Sequence, residues 1–420
     1  MIRKEVLDNR LTLLTETMPH VRSVTIGVWL RRGSRNEPAR LNGISHFIEH
    51  LVFKGTERRT AREIALAMDS IGGQIDAFTS KEYTCFYAKV LDQHLDEAID
   101  LLADIVQRPL FDAEEIERER QVVLEEIRMV EDTPDDLIYD LFAESFYPRQ
   151  TLGRPIQGTA ETVSRLSRRS LLKFFRDSYR PQNMLVAAAG NLRHAGLRRM
   201  VSKAFAGIKA GAGSNGAVAR PRPRCTVATA ARNSLGQLHL LLGLPAFREK
   251  VSERYALHVL NTLLGGTMSS RLFQRIREER GLAYSVYSAL NGFRDTGNLV
   301  IYAATSPGKA AEVVGLALDE LRDLRDRGPG QAELDVAREH LKGSLMLGLE
   351  STASRMTNLA RQELYLGRPT SLEKTLRGVE RVTRKQVHRL CNELMDGKRM
   401  GLAAVGPVRR LRLAPEALEL

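Results

Sequence analysis

The stretch Val21-Arg-Ser-Val-Thr-Ile-Gly-Val-Trp-Leu-Arg31 reads as a β-branched strand, and the order of elements around it decides the fold. After it come a helix near Gly43 to Phe53 and another from Thr60 to Ile71. A hairpin follows, Gln74 to Phe78 and Thr84 to Val90 across Thr79-Ser-Lys-Glu, and then an amphipathic helix from His94 to Val106. The same plan recurs later in the chain. A strand at Gln237 to Leu244 precedes helices at Glu253 to Leu264 and Ser270 to Glu279. Strands at Ala283 to Leu290 and Asn298 to Ala304 and a helix at Lys309 to Arg325 complete it. Between the two copies, Ala206 to Cys225 loses any apolar period in favour of Gly, Ala, Pro and Arg, the composition of a linker. The expected class is α+β. Two similar domains, 1–205 and 226–420, each pack helices on one face of a largely antiparallel sheet and are joined by a linker at 206–225.

Composition agrees with a globular chain of two or three domains: 43% of the 420 residues are hydrophobic and 27% charged. No run approaches the roughly 18 apolar residues of a membrane span, and Met1-Ile-Arg-Lys-Glu-Val-Leu-Asp8 has no apolar signal core. Cys85, Cys225 and Cys391 lie far apart, which excludes a disulfide framework and a thiolate zinc site. A reducing, cytoplasmic location is the expectation. The formal charge of +12 is unevenly spread: residues 51–150 hold 11 basic and 23 acidic side chains, whereas 151–250 hold 18 and 3. Solvated helix faces account for such segregation, as does an acidic chamber drawing in cationic substrates. With no zinc finger, helix-turn-helix or basic stripe interleaved with aromatics, a nucleic-acid partner is not expected. Gly211-Ala-Gly213-Ser-Asn-Gly216 matches the dinucleotide-binding pattern in letters only, because a Pro/Arg run follows where a helix should open.

The chemistry concentrates in His46-Phe-Ile-Glu49-His50. On a helix, positions i and i+4 share a face, so both imidazoles reach one metal ion while Glu49 projects beside them. A catalytic zinc site wants a third protein ligand and an open position. The helix opened by Asp112 is the best supply: Glu119 and Glu126 lie along the edge of the stripe formed by Ile116, Val123, Ile127 and Val130. Position and periodicity favour both acids and do not choose between them.

Gly43-Ile-Ser-His46-Phe-Ile-Glu49-His50-Leu-Val-Phe-Lys-Gly55-Thr resembles the inverzincin peptidases, the family of pitrilysin, insulin-degrading enzyme and the β subunit of mitochondrial processing peptidase. The resemblance extends over nearly the whole chain, through Ile71-Gly-Gly73, Ala77-Phe-Thr79-Ser-Lys-Glu82, Glu119 to Glu126, and Ser270-Arg-Leu-Phe-Gln-Arg-Ile-Arg277-Glu-Glu-Arg-Gly281-Leu-Ala-Tyr284. It implies one zinc ion per chain on His46, His50 and Glu126, with Glu119 as the supporting acid. It makes Glu49 the general base that takes a proton from a zinc-bound water and passes it to the leaving amine. Arg277 and Tyr284 match a pair that holds the substrate carbonyl and stabilises the oxyanion. The strand carrying Asp76, Ala77 and Phe78 would be the edge to which an extended peptide adds. Asp76 departs from the family's usual Asn; it hints at basic residues near the cleaved bond, or is equally a solvated acid of an edge strand.

Large members of that family close four such domains as a clamshell; with two, this chain resembles half of one. Arg277 and Tyr284 would then act across an interface, in a homodimer or in a heterodimer with a related subunit. The implied function is a zinc metalloendopeptidase that hydrolyses unfolded peptides or presequences in an enclosed chamber. The alternative is a non-catalytic structural or partner subunit, and the intact set His46, Glu49, His50 and Glu126 favours the enzyme.

Overall fold

The computed structural model describes every residue except 209, 212–218, 396, 398–399 and 412–417. Apart from Gly211, the dinucleotide-like glycine pattern lies outside the described residues. The first half runs through β1 (Ile2–Val6), β2 (Thr12–Thr17), β3 (Ser23–Leu30), α1 (Ile44–Leu51), α2 (Ala61–Asp69), β4 (Gln74–Thr79), β5 (Thr84–Leu91) and α3 (Leu95–Gln107). Then come α4 (Ala113–Asp132), α5 (Pro134–Phe146), α6 (Ala160–Ser164), α7 (Arg168–Ser178), β6 (Met184–Gly190) and α8 (His194–Ala204). The second half holds β7 (Val227–Ala231), β8 (Leu238–Ala246), α9 (Arg254–Gly265), β9 (Ala283–Gly292), β10 (Gly297–Thr305) and α10 (Ala310–Asp326). It ends with α11 (Gln331–Gly348), α12 (Thr352–Leu366), α13 (Leu372–Glu380), α14 (Arg384–Met395) and β11 (Gly401–Gly406).

Two sheets result, ordered β1-β2-β6-β3-β5-β4 and β7-β11-β8-β10-β9. All neighbours pair antiparallel except β2 with β6 and β7 with β11. Alternation along each strand sorts side chains onto two faces. In the first sheet Val24, Ile26, Val28, Phe86 and Ala88 face the main helical layer, where Ile44, Phe47, Ile48 and Leu51 of α1 join the core. Leu14, Trp29, Cys85, Leu185 and Ala187 face the other way, onto Met356, Leu359 and Ala360 of α12. Strand β6 (MLVAAAG) is buried throughout because both faces are covered.

The chain forms two compact units that are discontinuous in sequence: 1–128, 154–219 and 348–370 form one, and 129–153, 220–347 and 371–420 the other. The two stretches 129–153 and 348–370 thus depart from a division at 206–225. Each supplies one helix to the sheet face opposite the main layer, beyond the single layer expected from sequence. In the second unit this helix is α5, whose Ile138, Phe142 and Phe146 pack on Leu241, Val300, Ala403 and Val405. A glycine in a central strand makes room in each case: a Cβ on Gly243 would lie 2.3 Å from the Phe142 ring, and one on Gly27 3.0 Å from Met356 Sδ.

Candidate metal centre

Helix α1 is set by its N-terminus. Gly43 adopts φ +92, and a Cβ there would stand 2.4 Å from the Gln157 carbonyl oxygen. Before it the buried Glu37 accepts hydrogen bonds from the backbone N–H groups of Gly43 and Ser45, each at 2.8 Å, and from Asn42 Nδ2 at 3.1 Å. A carboxylate thereby satisfies the orphan donors of the helix that carries the His-Phe-Ile-Glu-His motif. Burial pushes the Glu37 carboxyl upward, and those hydrogen bonds oppose the shift.

One turn apart on α1, the rings of His46 and His50 lie 4.7 Å centroid to centroid. Helix α4, capped where Asp112 Oδ1 accepts from the N–H groups of Glu114 and Glu115, brings Glu126 up to them. Glu126 Oε2 lies 3.6 Å from His46 Nε2 and 3.5 Å from His50 Nε2. Among the described residues these three form the one group whose ligand atoms all lie within 4.8 Å of one another. Such separations are long for hydrogen bonds. They match ligand atoms about 2.05 Å from a shared tetrahedral zinc, which sit roughly 3.3 Å apart. Glu126 Oε2 is buried without a hydrogen-bond partner, as expected of an oxygen kept for a cation. Burial, then the neighbouring His50, pushes His46 down to about 3, leaving the imidazole neutral with a lone pair to give. The residues fit a zinc ion.

Glu119 stands one step further out. It is buried, its Oε2 lies 3.1 Å from His50 Nδ1, and its Oε1 pairs with Lys54 Nζ at 2.7 Å. Where Nδ1–H donates to Glu119, His50 Nε2 keeps its lone pair on the side of His46 and Glu126. Periodicity alone left Glu119 and Glu126 equivalent; the geometry gathers Glu126 with the imidazoles and puts Glu119 behind one of them. Glu49 accepts a hydrogen bond from Thr79 Oγ1 of β4. Burial pushes its carboxyl up to about 7, and Thr79 offsets part of that rise.

Strand β4 is the edge of its sheet. Its Ile75 and Ala77 pack in the core beneath α1, whereas Phe78 belongs to the aromatic group with Trp29, Tyr83 and Tyr87 on the opposite face. Asp76 shares that opposite face; it is exposed, accepts from the Ala77 N–H at 2.7 Å and from Tyr87 Oη at 3.3 Å. Arg277 and Tyr284 lie in the other unit and are brought together there, with Arg277 Cζ 4.8 Å from the Tyr284 ring centroid. The helix expected over Ser270 to Glu279 contains a π-turn at Phe273–Glu278, where the Glu279 N–H reaches back five residues to the Gln274 carbonyl. Glu37, Lys54 and Thr79 escaped the sequence reading as site residues. Thr79 and Lys54 fall within the quoted motifs, but nothing in their spacing announces a contact. Glu37 gives no periodic signal at all.

Two imidazoles and a carboxylate converging beside the half-buried Glu49, on a two-unit α+β fold, form the arrangement that a metallohydrolase with an inverted motif would use. Family comparison agrees: residues 12–160 match the model described as Insulinase (Peptidase family M16), and residues 165–341 that of the Peptidase M16 inactive domain. A relative described as an uncharacterized zinc protease of Streptomyces coelicolor is 42% identical over 97% of this chain and 90% of its own. The zinc protease YmxG of Bacillus subtilis, likewise uncharacterized, is 41% identical over 97% and 98%. The chain belongs to peptidase family M16. Among solved structures, a protease from Helicobacter pylori superposes with a TM-score of 0.90 at 22% identity, covering 97% of this chain and 99% of that one. A chain of Complex III2 from Candida albicans does so with 0.87 at 18%, covering both fully. Those two share the fold. No helix among the described residues is long and apolar enough to cross a membrane.

Proposed function

We propose that this chain is a zinc-dependent metalloendopeptidase acting on extended, unfolded peptides. The observation that carries the reading is the convergence of His46, His50 and Glu126 beside Glu49, three residues along α1 from His46. Two imidazoles and one carboxylate would hold one zinc ion per chain, which when bound supplies Lewis-acid polarisation of the scissile carbonyl. Glu49 takes a proton from the attacking water and returns it to the leaving amine; its carboxyl near 7 suits both directions of transfer. Thr79 fixes the carboxylate, and Glu119 fixes the His50 ring. Edge strand β4, through Ala77 and its neighbours Asp76 and Phe78, accepts the backbone of the peptide as an added strand. Arg277 and Tyr284 donate to the substrate carbonyl oxygen as negative charge develops. The zinc protease names of the relatives support this reading. We assign a homodimer in which each copy offers both sets of residues.

The test compares wild type with Glu49→Gln on a quenched Arg-containing peptide of about 15 residues, with metal analysis of both. The expected result is one zinc per chain in each, with cleavage lost in the variant and on chelation of wild type. Full zinc occupancy in wild type with no cleavage of any peptide tried would overturn the peptidase reading.

A further inference from the structure

We propose that Phe273 is a positioning residue that, with Tyr284, holds the Arg277 guanidinium against aromatic faces so that its N–H edge stays free for a substrate oxygen. The proposal rests on the reading of this chain as a peptidase. Arg277 Cζ lies 4.7 Å from the Phe273 ring centroid and 4.8 Å from that of Tyr284. A guanidinium stacked flat on a ring keeps the donors in its plane available.

The other arginines of the same segment show what a structural role looks like. Arg271 is bound by Glu333, at 2.8 and 2.6 Å, and by Asp323, at 2.8 Å, and these acids hold its charge in place. Arg275 lies 3.8 Å from both Glu279 and Glu320. Unlike the tightly held Arg271, Arg277 has as its one ion pair among the described residues the adjacent Glu278, whose Oε1 lies 3.7 Å from its Nε. Its positive charge is thus steadied by rings and left for an acceptor that arrives from outside. Tyr284, at 78% exposed, contributes little to a core and is well placed to meet that acceptor too.

The backbone serves the same end. Phe273 opens the π-turn and Arg277 sits inside it, and π-turns recur at functional sites because they re-aim side chains. Phe273 supplies the ring from within the segment and Tyr284 supplies one from β9. A preset guanidinium has less rotamer freedom to lose when the substrate oxygen arrives than a free one does.

Phe273→Leu and Phe273→Tyr would be compared in wild-type and Arg277→Ala backgrounds. We expect Phe273→Leu to lower kcat about five-fold with KM moved less than about two-fold, the scale of one cation–π contact. Phe273→Tyr should keep full activity, and in the Arg277→Ala background Phe273→Leu should change nothing further. An equal loss in both backgrounds, or none in wild type, overturns the proposal. A second readout needs no catalysis: in ¹⁵N-arginine spectra the Arg277 Hε should be shifted upfield by the rings and move back in Phe273→Leu. An unshifted Hε in wild type refutes the clamp. Failure of wild type to cleave any peptide refutes the peptidase reading instead, and the spectrum still decides the clamp.

Discussion

The two units carry the same plan and different chemistry. In the first, α1 packs along edge strand β4 and presents His46, Glu49 and His50; in the second, α9 packs along edge strand β9. Helix α9 has His258, but four residues on stands Thr262, whose Oγ1 donates to the His258 carbonyl, and the helix buries Leu257, Leu260, Leu263 and Leu264. Glu126, in the second half of α4, keeps an unpartnered oxygen toward two imidazoles, whereas α11 carries Glu333 in its first turn, where Arg271 binds it. One scaffold therefore gathers two imidazoles and a carboxylate in one copy and, in the other, a half-buried Arg277 beside the exposed Tyr284. The fold supplies positions, and a few polar side chains decide what is done with them.

The comparison breaks most completely if the metal group is dismantled. Glu126→Gln should reduce zinc from one per chain to none after dialysis, measured by mass spectrometry of the metal, while the melting of the second unit stays put. Glu119→Gln should retain zinc with affinity lowered about 10- to 100-fold, because the oxygen that orients His50 becomes a weaker acceptor; competition with a zinc chelator reads this out. Glu37→Ala should leave the Gly43 and Ser45 N–H groups at the α1 start unmet and cost about 2–3 kcal/mol in denaturant unfolding. Two glycine substitutions separate the two exchanged helices. Gly243→Ala should cost about 2–3 kcal/mol because its Cβ meets a phenyl ring at 2.3 Å. Gly27→Ala should cost less, about 1–2 kcal/mol, because its Cβ would lie 2.9 Å from Trp29 Nε1 and 3.0 Å from the flexible Met356 thioether, where the other meets a ring at 2.3 Å. Equal losses at the two glycines would contradict the packing described.

Strands and helices with strong periodicity were legible within a few residues: the strand expected at 21–31 is β3, and the hairpin expected at 74–90 is β4 with β5. Strand β6 gave less, because Met-Leu-Val-Ala-Ala-Ala-Gly has no alternation and burial on both faces comes from tertiary context. The exchange of α5 and α12 is a tertiary event with no local signal beyond Gly27 and Gly243, whose place in a strand is the kind that marks close approach. At the site, i,i+4 spacing showed the two imidazoles directly. The choice between Glu119 and Glu126 could not be read from spacing, since both sit on the same edge of α4 and only the reach of each carboxylate separates them. Glu37 was invisible because two of its three partners are backbone N–H groups, which every sequence supplies, and its spacing to Asn42 follows no period.

The most direct measurement of the central claim is X-ray absorption at the zinc edge on the metal-loaded chain, with Glu126→Gln beside it. The account predicts one zinc per chain bound by two imidazole nitrogens and by oxygen, with no sulfur, and loss of the signal in the variant. A sulfur-containing shell, or an unchanged spectrum in Glu126→Gln, would contradict it.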